Sequence, residues 1–440
     1  PPPPLFTTRS RNTRFGFKSR GLGDVYKRQP RQQRIAIIGA GPAGLAAGRE
    51  LLRQGFSDFT IFDALDAPGG TWRLHSYPGL SCDVWAHSYS YSYAPNPDWS
   101  ANFVGYAEIQ AYLARCAQEF GLEPHLRLNT RISSARYVDE GRWQLRTEDG
   151  EEQLFDAVIN AMGNQHTPLF PDVPGIDSFT GDSWHATRWN HDVELAGKRV
   201  LVVGSAASAV QIVPAIAGEV GRLTVLQRSA NWIMPRNWKL YTDRQRQRWH
   251  RFPWLIKALR KGQGMLMGQV DYAVTLGHKR MNQFEKMVHK FIDRSVDDPQ
   301  VREALRPDSR YGCKRGLISD DFYPSFNRDN VELVASGLKE VTPGGAITED
   351  GRELEADVII YCTGYRILDF DRFEVLGSDG QTLEQFMADD PRAYKGLSVP
   401  GFPNFFFAVG PNALVLNVPY FKTAERNVET IVKLLADMRA

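Results

Sequence analysis

The segment RIAIIGAGPAGLAAGRELLRQG constrains the fold more than any other part of the chain. In it a short apolar run is followed by Gly39, Gly41 and Gly44 in the spacing GxGxxG and then by a helical pattern. The next apolar run, FTIFDA, ends in Asp63. In a βαβ unit these glycines permit a tight turn, close approach of a pyrophosphate and helix–strand packing, and the acid accepts a bond from a ribose hydroxyl. The segment therefore predicts a dinucleotide site whose phosphates face a helix N-terminus.

The aromatic loop GGTWRLHSYPGLSCDVWAHSYSYSY follows this unit. Gly69 and Gly70 allow close backbone approach, and Trp72 offers a flat surface that could cover a ring system. The turn at Pro78–Gly79 could return Asp83 to the same pocket. We interpret the loop as part of the nucleotide site; an aromatic-rich surface loop without a ligand is the alternative.

A second segment, KRVLVVGSAASAVQIVPAIA, repeats the strand–turn–helix design. Gly204 opens the turn, and Ala206 and Ala209 stand at the second and third glycine positions. Alanine at the third position is a tolerated variant, but the methyl group of Ala206 lies where backbone should meet pyrophosphate. Arg228, at the end of the next strand, stands where an NAD site would carry an acid, and its guanidinium suits a 2′-phosphate. The segment favours NADPH over NADH, with an exposed arginine at a strand end as the alternative.

Composition excludes several classes of protein. The 440 residues are enough for two or three domains, and 42% hydrophobic with 24% charged residues is ordinary for a soluble globular protein. A net charge of +2 gives no reason to expect nucleic acid. The four cysteines lie far apart, which argues against disulfides, a zinc site or a redox dithiol and fits a reducing cytoplasm. We expect no metal, and we interpret the uncharged run 200–218 as strand, turn and helix rather than as a membrane span.

Three further segments support a flavoprotein with two dinucleotide domains. FDAVINAMGNQHTP and ADVIIYCTGY are each predicted to be a strand that ends in a small-residue turn, at Gly163 and Gly364. Such turns carry the chain between domains in flavoproteins of this kind. GFPNFFFAVGPNALVLN gives another strand and a turn at Asn412 that could return to the flavin.

The predicted fold class is α/β, with two Rossmann-like domains, for FAD and NADP, and a helical insertion in the NADP domain. The expected boundaries are 1–30 for a disordered tail foreign to the fold, 31–170 and 357–440 for a discontinuous FAD domain, 171–232 and 309–356 for the NADP domain, and 233–308 for the insertion. The insertion contains DRQRQRWHRFPWLIKALRKG, in which Arg and Lys alternate with Trp and Leu. We expect a solvated helical face with its apolar side on the core; contact with a membrane surface is the alternative.

The motifs of this chain resemble those of the Baeyer–Villiger monooxygenases, a branch of the class B flavin monooxygenases. FTGDSWHATRWN fits their fingerprint FxGxxxHxxxW at Phe179, Gly181, His185 and Trp189, although Asn190 follows where the family usually has Pro or Asp. GGTWRLHSYPGLSCD fits a second family pattern, GGxWxxxxYPGxxxD, and CKRGLISDDFYPSFNRDNVELV looks like a third. The resemblance covers about residues 33 to 430. The related flavin-containing monooxygenases usually carry Tyr or Phe at the fingerprint tryptophan, so the Baeyer–Villiger branch is favoured.

The resemblance implies roles for individual residues. Lys314 should help to hold the 2′-phosphate alongside Arg228 and Ser229. Arg315 should be the catalytic arginine over the flavin, and Asp83 should hydrogen-bond and modulate it. The fingerprint should hold and swing the two domains as the nicotinamide changes position, with direct chemistry as the alternative.

The full set expected to bind FAD or NADP comprises Gly39, Gly41, Pro42, Ala43, Gly44, Asp63, Gly70, Thr71, Trp72, Asp83, Val84, Tyr89, Gly163, Gly204, Ser205, Ala206, Ala207, Ser208, Gln211, Arg228, Ser229, Lys314, Gly364 and Asn412.

The implied activity is oxygen insertion beside a ketone carbonyl. NADPH would reduce FAD, reduced flavin and dioxygen would give a peroxyflavin, and its anion would attack the ketone to yield an ester or lactone. One alternative oxidises nitrogen or sulfur with the same flavin. A second is a catalytically impaired nucleotide-binding homologue or fragment, because the chain stops short of the family's usual C-terminus and carries Ala206. We expect a small-molecule substrate and dioxygen as partners, no nucleic acid and no stable membrane insertion.

Overall fold

The computed structural model describes residues 33–138, 141–275, 281–367, 369–413 and 418–439. The tail expected over residues 1–30 lies outside the described residues. The strands are β1 (Ile35–Ile38), β2 (Phe59–Phe62), β3 (Leu126–Arg127), β4 (Ile132–Val138), β5 (Arg142–Thr147), β6 (Glu152–Phe155), β7 (Ala157–Asn160), β8 (Asp182–His185), β9 (Arg199–Val203), β10 (Arg222–Leu226), β11 (Ile233–Met234), β12 (Leu317–Ile318), β13 (Val331–Val334), β14 (Leu338–Thr342), β15 (Gly345–Thr348), β16 (Glu353–Glu355), β17 (Val358–Tyr361), β18 (Glu374–Leu376) and β19 (Phe405–Phe407).

The α-helices are α1 (Pro42–Arg53), α2 (Thr71–Leu74), α3 (Tyr106–Glu119), α4 (Ala207–Ile216), α5 (Asp243–Arg251), α6 (Trp254–Thr275), α7 (Met281–Ser295), α8 (Pro299–Ala304), α9 (Phe322–Ser325), α10 (Leu383–Met387) and α11 (Tyr420–Arg439). Two short 3₁₀ helices span Glu123–His125 and Ala186–Arg188.

The first sheet has the strand order β19-β7-β1-β2-β3, and all its pairs are parallel. β1 lies at its centre and is completely buried, as a parallel strand covered on both faces must be. α1 and α11 pack together on one face. On the other face lie the antiparallel strands β4, β5 and β6, with β18 added beside β4 and with a core around Trp143 and Phe155.

The second sheet has the order β13-β10-β9-β17-β8 and is also parallel throughout. Its central strand β9 leads into α4, just as β1 leads into α1, and a small antiparallel sheet of β14, β15 and β16 packs on it. β17 lies in a different domain from the one expected. The expected boundaries put residues 357–440 in the FAD domain. β17 instead pairs with β8 and β9 of the second sheet. Its apolar sequence VIIY suits the centre of either sheet, so the pattern alone could not place it.

The helical insertion occupies α5 to α8. A capping box begins α5, in which the side chains of Thr242 and Gln245 bond to each other's backbone N–H groups. At the base of the insertion β11 and β12 pair in parallel and join the chain entering it to the chain leaving it. The α/β class, the two nucleotide-type sheets and the helical insertion are therefore confirmed.

Candidate active site

The first glycine turn is held by close backbone contacts. Gly39 has φ +108°, and a Cβ atom there would lie 2.7 Å from the carbonyl oxygen of Ala161. A Cβ at Gly44 would lie 1.8 Å from the carbonyl oxygen of Gly39. Only glycine fits either position, so the turn brings the N-terminus of α1 to the carboxyl edge of the sheet, where phosphates bind in folds of this type.

A second glycine turn packs on the first. Gly70 has φ +56°, and a Cβ there would lie 2.9 Å from the Cα atom of Gly41. The backbone of the GGTW loop therefore touches the nucleotide turn, as the sequence indicates. Trp72, expected to offer a flat surface over a ring system, is instead buried. Its Nε1 donates to the hydroxyl of Tyr89 across 3.2 Å. The indole supports the turn from inside the core.

Asp63 stands at the end of β2 with its carboxylate turned toward the glycine loop. Its Oδ2 accepts from the backbone N–H of Ala40 at 2.6 Å, and its Oδ1 accepts from that of Leu65 at 2.8 Å. Burial raises the pKa of this carboxyl. The two N–H groups and the charges of Arg372 and Arg131 act in the opposite direction and limit the rise. The acid expected at a ribose thus also fixes the backbone of the turn.

A cavity of about 430 Å³ opens beyond the ends of β7 and β19. Gly163 and Asn412, both predicted to lie near the flavin, line it together with Arg372. Arg372 donates to the carbonyl oxygens of Met162 (3.5 Å) and Gly163 (3.2 Å), and burial lowers its pKa to about 10. Arg372 also lies 3.8 Å from the carboxylate of Asp369, which lines the same cavity. The cavity therefore offers a largely buried guanidinium and backbone groups that could contact a polar cofactor.

The second turn repeats the geometry of the first. A Cβ at Gly204 would lie 2.6 Å from the carbonyl oxygen of Cys362, as one at Gly39 would from Ala161. Ala206 is the N-cap of α4, with φ −86° and ψ −163°, close to the −78° and −171° of Gly41. Its methyl group lies on the exposed side of an unstrained turn.

The residues predicted for the 2′-phosphate come together at the end of β10. Lys314 Nζ donates to Ser229 Oγ at 2.9 Å and to the carbonyl oxygen of Ala230 at 3.1 Å. Arg228 is exposed beside them. Gln227 is buried and instead donates to the carbonyl oxygen of Ala304 in α8. The Ser229–Lys314 pair, with the adjacent guanidinium, is a site of the charge and chemistry that a phosphate monoester requires.

Gln211 faces the first domain. Its Nε2 donates to the carbonyl oxygen of Ser81 at 2.9 Å, and its Oε1 accepts from the hydroxyl of Tyr77 at 3.2 Å. A Cβ at Gly79 would lie 2.3 Å from the Gln211 carbonyl oxygen. The YPG turn therefore rests directly on α4, and Gln211 joins the two domains.

Asp83 and Arg315 meet where these two domains face each other. Arg315 Nη2 donates to Asp83 Oδ2 across 2.5 Å, and the side chains are 46% and 27% exposed, respectively. The pair predicted from the resemblance is therefore assembled in the fold. The remaining exposure leaves the guanidinium open toward solvent on one side.

One cation near this pair was missed at the level of sequence. The guanidinium of Arg236 lies 5.3 Å from the ring centroid of Phe103, and burial lowers its pKa, while Asp83 is among the anions that raise it. Its segment is fixed by Asp320, whose carboxylate oxygens accept from the backbone N–H groups of Asn237 and Trp238, both at 2.9 Å. No local motif marks Arg236, because only the β11–β12 pairing brings it here.

The fingerprint residues surround β8, the edge strand of the second sheet. Phe179 packs against the core of this sheet, and a Cβ at Gly181 would lie 2.4 Å from the carbonyl oxygen of Asp357. His185 ends the strand, and its Nδ1 lies 3.0 Å from Thr187 Oγ1. Trp189 packs edge-on against Trp184, which is buried in the core shared by both domains.

His185 is buried, and burial lowers its pKa to about 4. The backbone of Gly364 acts on this pKa in the opposite direction. Tyr365, the residue after Gly364, stacks on His75 of the first domain with ring centroids 5.7 Å apart. These contacts join the fingerprint to the loop after α2. The imidazole of His185 itself packs edge-on against the ring of Tyr365, with centroids 6.1 Å apart.

The other residues predicted to bind cofactor lie in or beside the same segments: Pro42 and Ala43 open α1, Thr71 opens α2, Val84 follows Asp83, Ser205 lies in the second turn, and Ala207 and Ser208 open α4. Among the described residues, no group of three His, Cys, Asp or Glu side chains is arranged to hold a metal ion. None of the described helices has the length and apolar character needed to cross a membrane.

Two dinucleotide turns on separate parallel sheets, with an Arg–Asp pair that joins the two domains, are typical of a flavoprotein oxidoreductase. The sequence model of the family described as "Flavin-binding monooxygenase-like" matches residues 32–374. A Baeyer–Villiger monooxygenase from Streptomyces coelicolor is 40% identical over 384 residues, which cover 86% of this chain and 73% of the relative. A Baeyer–Villiger monooxygenase from Pseudomonas aeruginosa is 37% identical, with 87% and 73% covered.

Solved structures agree with the sequence relatives. A complex of OTEMO with FAD and NADP superposes with a TM-score of 0.83 at 29% identity, covering 92% of this chain and 84% of that one. An oxidized steroid monooxygenase bound to NADP gives 0.79 at 31% identity, with 92% and 86% covered. The chain therefore belongs to the Baeyer–Villiger branch of the flavin-binding monooxygenase family, as a flavin-dependent NADPH monooxygenase whose cofactors are FAD and NADP(H).

Proposed function

We propose that the enzyme inserts one oxygen atom of O2 next to a ketone carbonyl, giving an ester or lactone. In the balanced overall reaction, ketone, O2, NADPH and a proton give ester, water and NADP⁺. The observation that carries the proposal is the contact of Arg315 with Asp83 at the junction of the two nucleotide domains. Reduced FAD supplies the activation of O2, and NADPH supplies the electrons.

Arg315 has the chemistry that attack on a carbonyl requires. A guanidinium stays protonated under all physiological conditions, so it offers a fixed positive charge and N–H donors to an anionic oxygen nucleophile and to the tetrahedral oxyanion. Loss of one preorganised donor of this kind costs on the order of 3 kcal/mol, or roughly a hundredfold in rate. Heteroatom oxidation proceeds without a carbonyl oxyanion and should need this charge less.

Asp83 limits where the guanidinium can point. Its Oδ2 engages Nη2 of Arg315 and leaves the other guanidinium N–H groups available to the reacting oxygen atoms. We assign Asp83 as the residue that orients Arg315. In the same way Lys314, held by Ser229, is assigned to the 2′-phosphate of NADPH.

His185 is assigned to domain coupling and not to proton transfer. Its pKa of about 4 and its burial make it a poor base near neutrality. His185 packs against Tyr365, and Tyr365 in turn stacks on His75 of the first domain. We infer that the fingerprint transmits the relative movement of the domains while the nicotinamide changes position.

The test compares Arg315→Ala and Arg315→Lys with wild-type enzyme in two separate steps. The proposal expects flavin bleaching by NADPH to proceed near the wild-type rate in both variants, while ester formation from a cyclic ketone falls about a hundredfold or more in Arg315→Ala. Oxidation of a thioether should fall much less. Arg73→Ala, which removes an exposed arginine paired with Asp66, is the matched control.

Ester formation near the wild-type rate in Arg315→Ala would remove the assignment. Equal loss of ketone and thioether oxidation would favour a general role in the oxygen reaction. A wild-type enzyme that oxidises thioethers but none of a set of linear, cyclic and aryl ketones would assign the protein to heteroatom oxygenation.

A further inference from the structure

Exposed apolar side chains are concentrated on the helical insertion. Among the described residues, fifteen large hydrophobic side chains are exposed, and nine of them lie between positions 238 and 287. The nine are Trp238, Leu240, Phe252, Trp254, Leu259, Met265, Leu266, Tyr272 and Met287. A concentration of this kind on one segment marks an interaction surface rather than scattered surface residues.

α6 presents an ordered stripe of these side chains. Trp254, Lys257, Lys261, Met265 and Tyr272 follow one another at intervals of three, four, four and seven residues, which places them on one face of the helix. All five are exposed, with Trp254 at 62%, Met265 at 59% and Tyr272 at 65%. We call this set the outward face of α6.

The opposite side of α6 is fixed to the first domain. Ile256 is buried. Arg260 donates to the carbonyl oxygens of His87 (2.7 Å) and Ser90 (3.1 Å), and Gln263 Oε1 accepts from Ser88 Oγ at 2.5 Å. The helix cannot roll to hide its outward face without breaking these bonds, so aromatic and basic side chains remain in solvent together.

The insertion carries a local excess of positive charge. Between positions 238 and 287 the sequence has eleven Lys or Arg and three Asp or Glu, whereas the chain as a whole has a net charge of only +2. The remainder of the chain is therefore net negative. Residues 1–32 are also basic, with eight Lys or Arg and one Asp, so the negative charge lies in the rest of the chain from residue 33. Within that part of the chain the insertion is the segment that an anionic surface attracts.

We propose that the outward face of α6 binds an anionic membrane surface, with the helix lying in the plane of the interface. Trp254 and Tyr272 would enter the headgroup region with Met265 between them, and Lys257 and Lys261 would meet lipid phosphates. Lysine is depleted in the centre of protein–protein interfaces, whereas lysine beside tryptophan is typical of helices that lie on bilayers. The composition of the face therefore favours lipid over a protein partner.

The test measures co-sedimentation of the FAD-loaded 440-residue enzyme with phosphatidylcholine vesicles, with and without phosphatidylglycerol. Wild-type enzyme should bind the mixed vesicles and lose binding at high salt. Each lysine contributes about 1 kcal/mol near an anionic surface, so Lys257→Gln with Lys261→Gln should weaken binding roughly 25-fold. Trp254→Ser should weaken it at least about tenfold.

The matched control is Lys433→Gln with Leu434→Ser on α11, which also removes an exposed lysine and an exposed leucine, but far from the insertion in sequence. It should bind as wild type does. Circular dichroism and FAD content confirm that every variant is folded.

Three results would overturn the proposal: no binding of wild type to mixed vesicles, equal binding to neutral vesicles, or equal loss in the α11 control. A fourth contradicting result could come from sedimentation velocity without lipid. A dimer that Trp254→Ser dissociates would assign the outward face to a second copy of the chain instead.

Discussion

Arg315 and Asp83 are 232 positions apart in the chain and form a hydrogen-bonded ion pair across 2.5 Å. Asp83 belongs to the loop after α2, which the first glycine turn positions, whereas Arg315 precedes β12 at the exit of the helical insertion. The pair is therefore a contact between separately built parts of the fold. Its geometry depends on how those parts dock.

Replacement of Asp83 by Asn should slow oxygenation more than flavin reduction. The amide keeps the shape of the carboxylate but loses its charge, and a hydrogen bond between charged groups contributes about 1.5–3 kcal/mol. We expect ester formation to fall about 10- to 100-fold, with the rate of flavin bleaching by NADPH nearly unchanged, in stopped-flow measurements. Asp66→Asn, which breaks the exposed pair with Arg73, should change neither rate. Equal loss of both rates in Asp83→Asn would contradict the orienting role.

Replacement of Lys314 by Ala should reduce discrimination between the two nicotinamide cofactors. Lys314 is held by Ser229 where the 2′-phosphate is assigned. Removal of one charge-assisted contact should raise KM for NADPH about 10- to 100-fold and leave KM for NADH unchanged, as steady-state oxidation of both cofactors would measure. Lys198→Ala, at the surface beside Asp182, is the control. A parallel rise for NADH would move the phosphate site elsewhere.

Both nucleotide turns could be predicted from sequence because their constraints are local. Gly44 is required by its contact with Gly39 inside the βα turn, and Gly39 by its φ of +108° in that turn. Local constraints of this kind leave a fixed spacing in the chain. The Asp83–Arg315 pair, in contrast, could be predicted only from the family resemblance, because the two residues belong to motifs that are distant in the chain. Composition and spacing alone would not have joined them.

The features that sequence did not reveal depend on tertiary packing within and between the domains. Gln211 lies on the nucleotide-binding helix, yet it bonds to the YPG turn of the other domain. Trp72 has the composition of a ring-stacking residue, yet it is buried against Tyr89. Arg236 has no motif at all. In each case the direction of a side chain is set by tertiary packing, which leaves no periodic signal.

Replacement of Gly70 by Ala should abolish stable FAD binding. The new Cβ would lie 2.9 Å from the Cα atom of Gly41 at a φ of +56°, so the two turns that form the cradle must separate. We expect purified Gly70→Ala to contain little flavin, as measured by absorbance, and to melt at lower temperature. Gly262→Ala in α6, where nothing lies within 4 Å, should keep its flavin and gain up to about 1 kcal/mol. Full flavin content in Gly70→Ala would contradict this contact.

Acid should destabilise the protein through buried imidazoles, and His75 provides the test. Burial lowers the pKa of His75 from its ordinary 6.5 to about 4, with the charge of Arg188 acting in the same direction. A histidine with a depressed folded-state pKa stabilises the fold fully above its unfolded pKa and loses that contribution as pH falls toward the folded value. Urea unfolding at about pH 7.5 and about pH 5 should show a drop in unfolding free energy that His75→Phe reduces by about 2 kcal/mol. The phenyl ring can preserve stacking on Tyr365. His191→Phe at the surface should keep the full drop, and a His75→Phe variant that also keeps it would show that this imidazole is not part of the acid response.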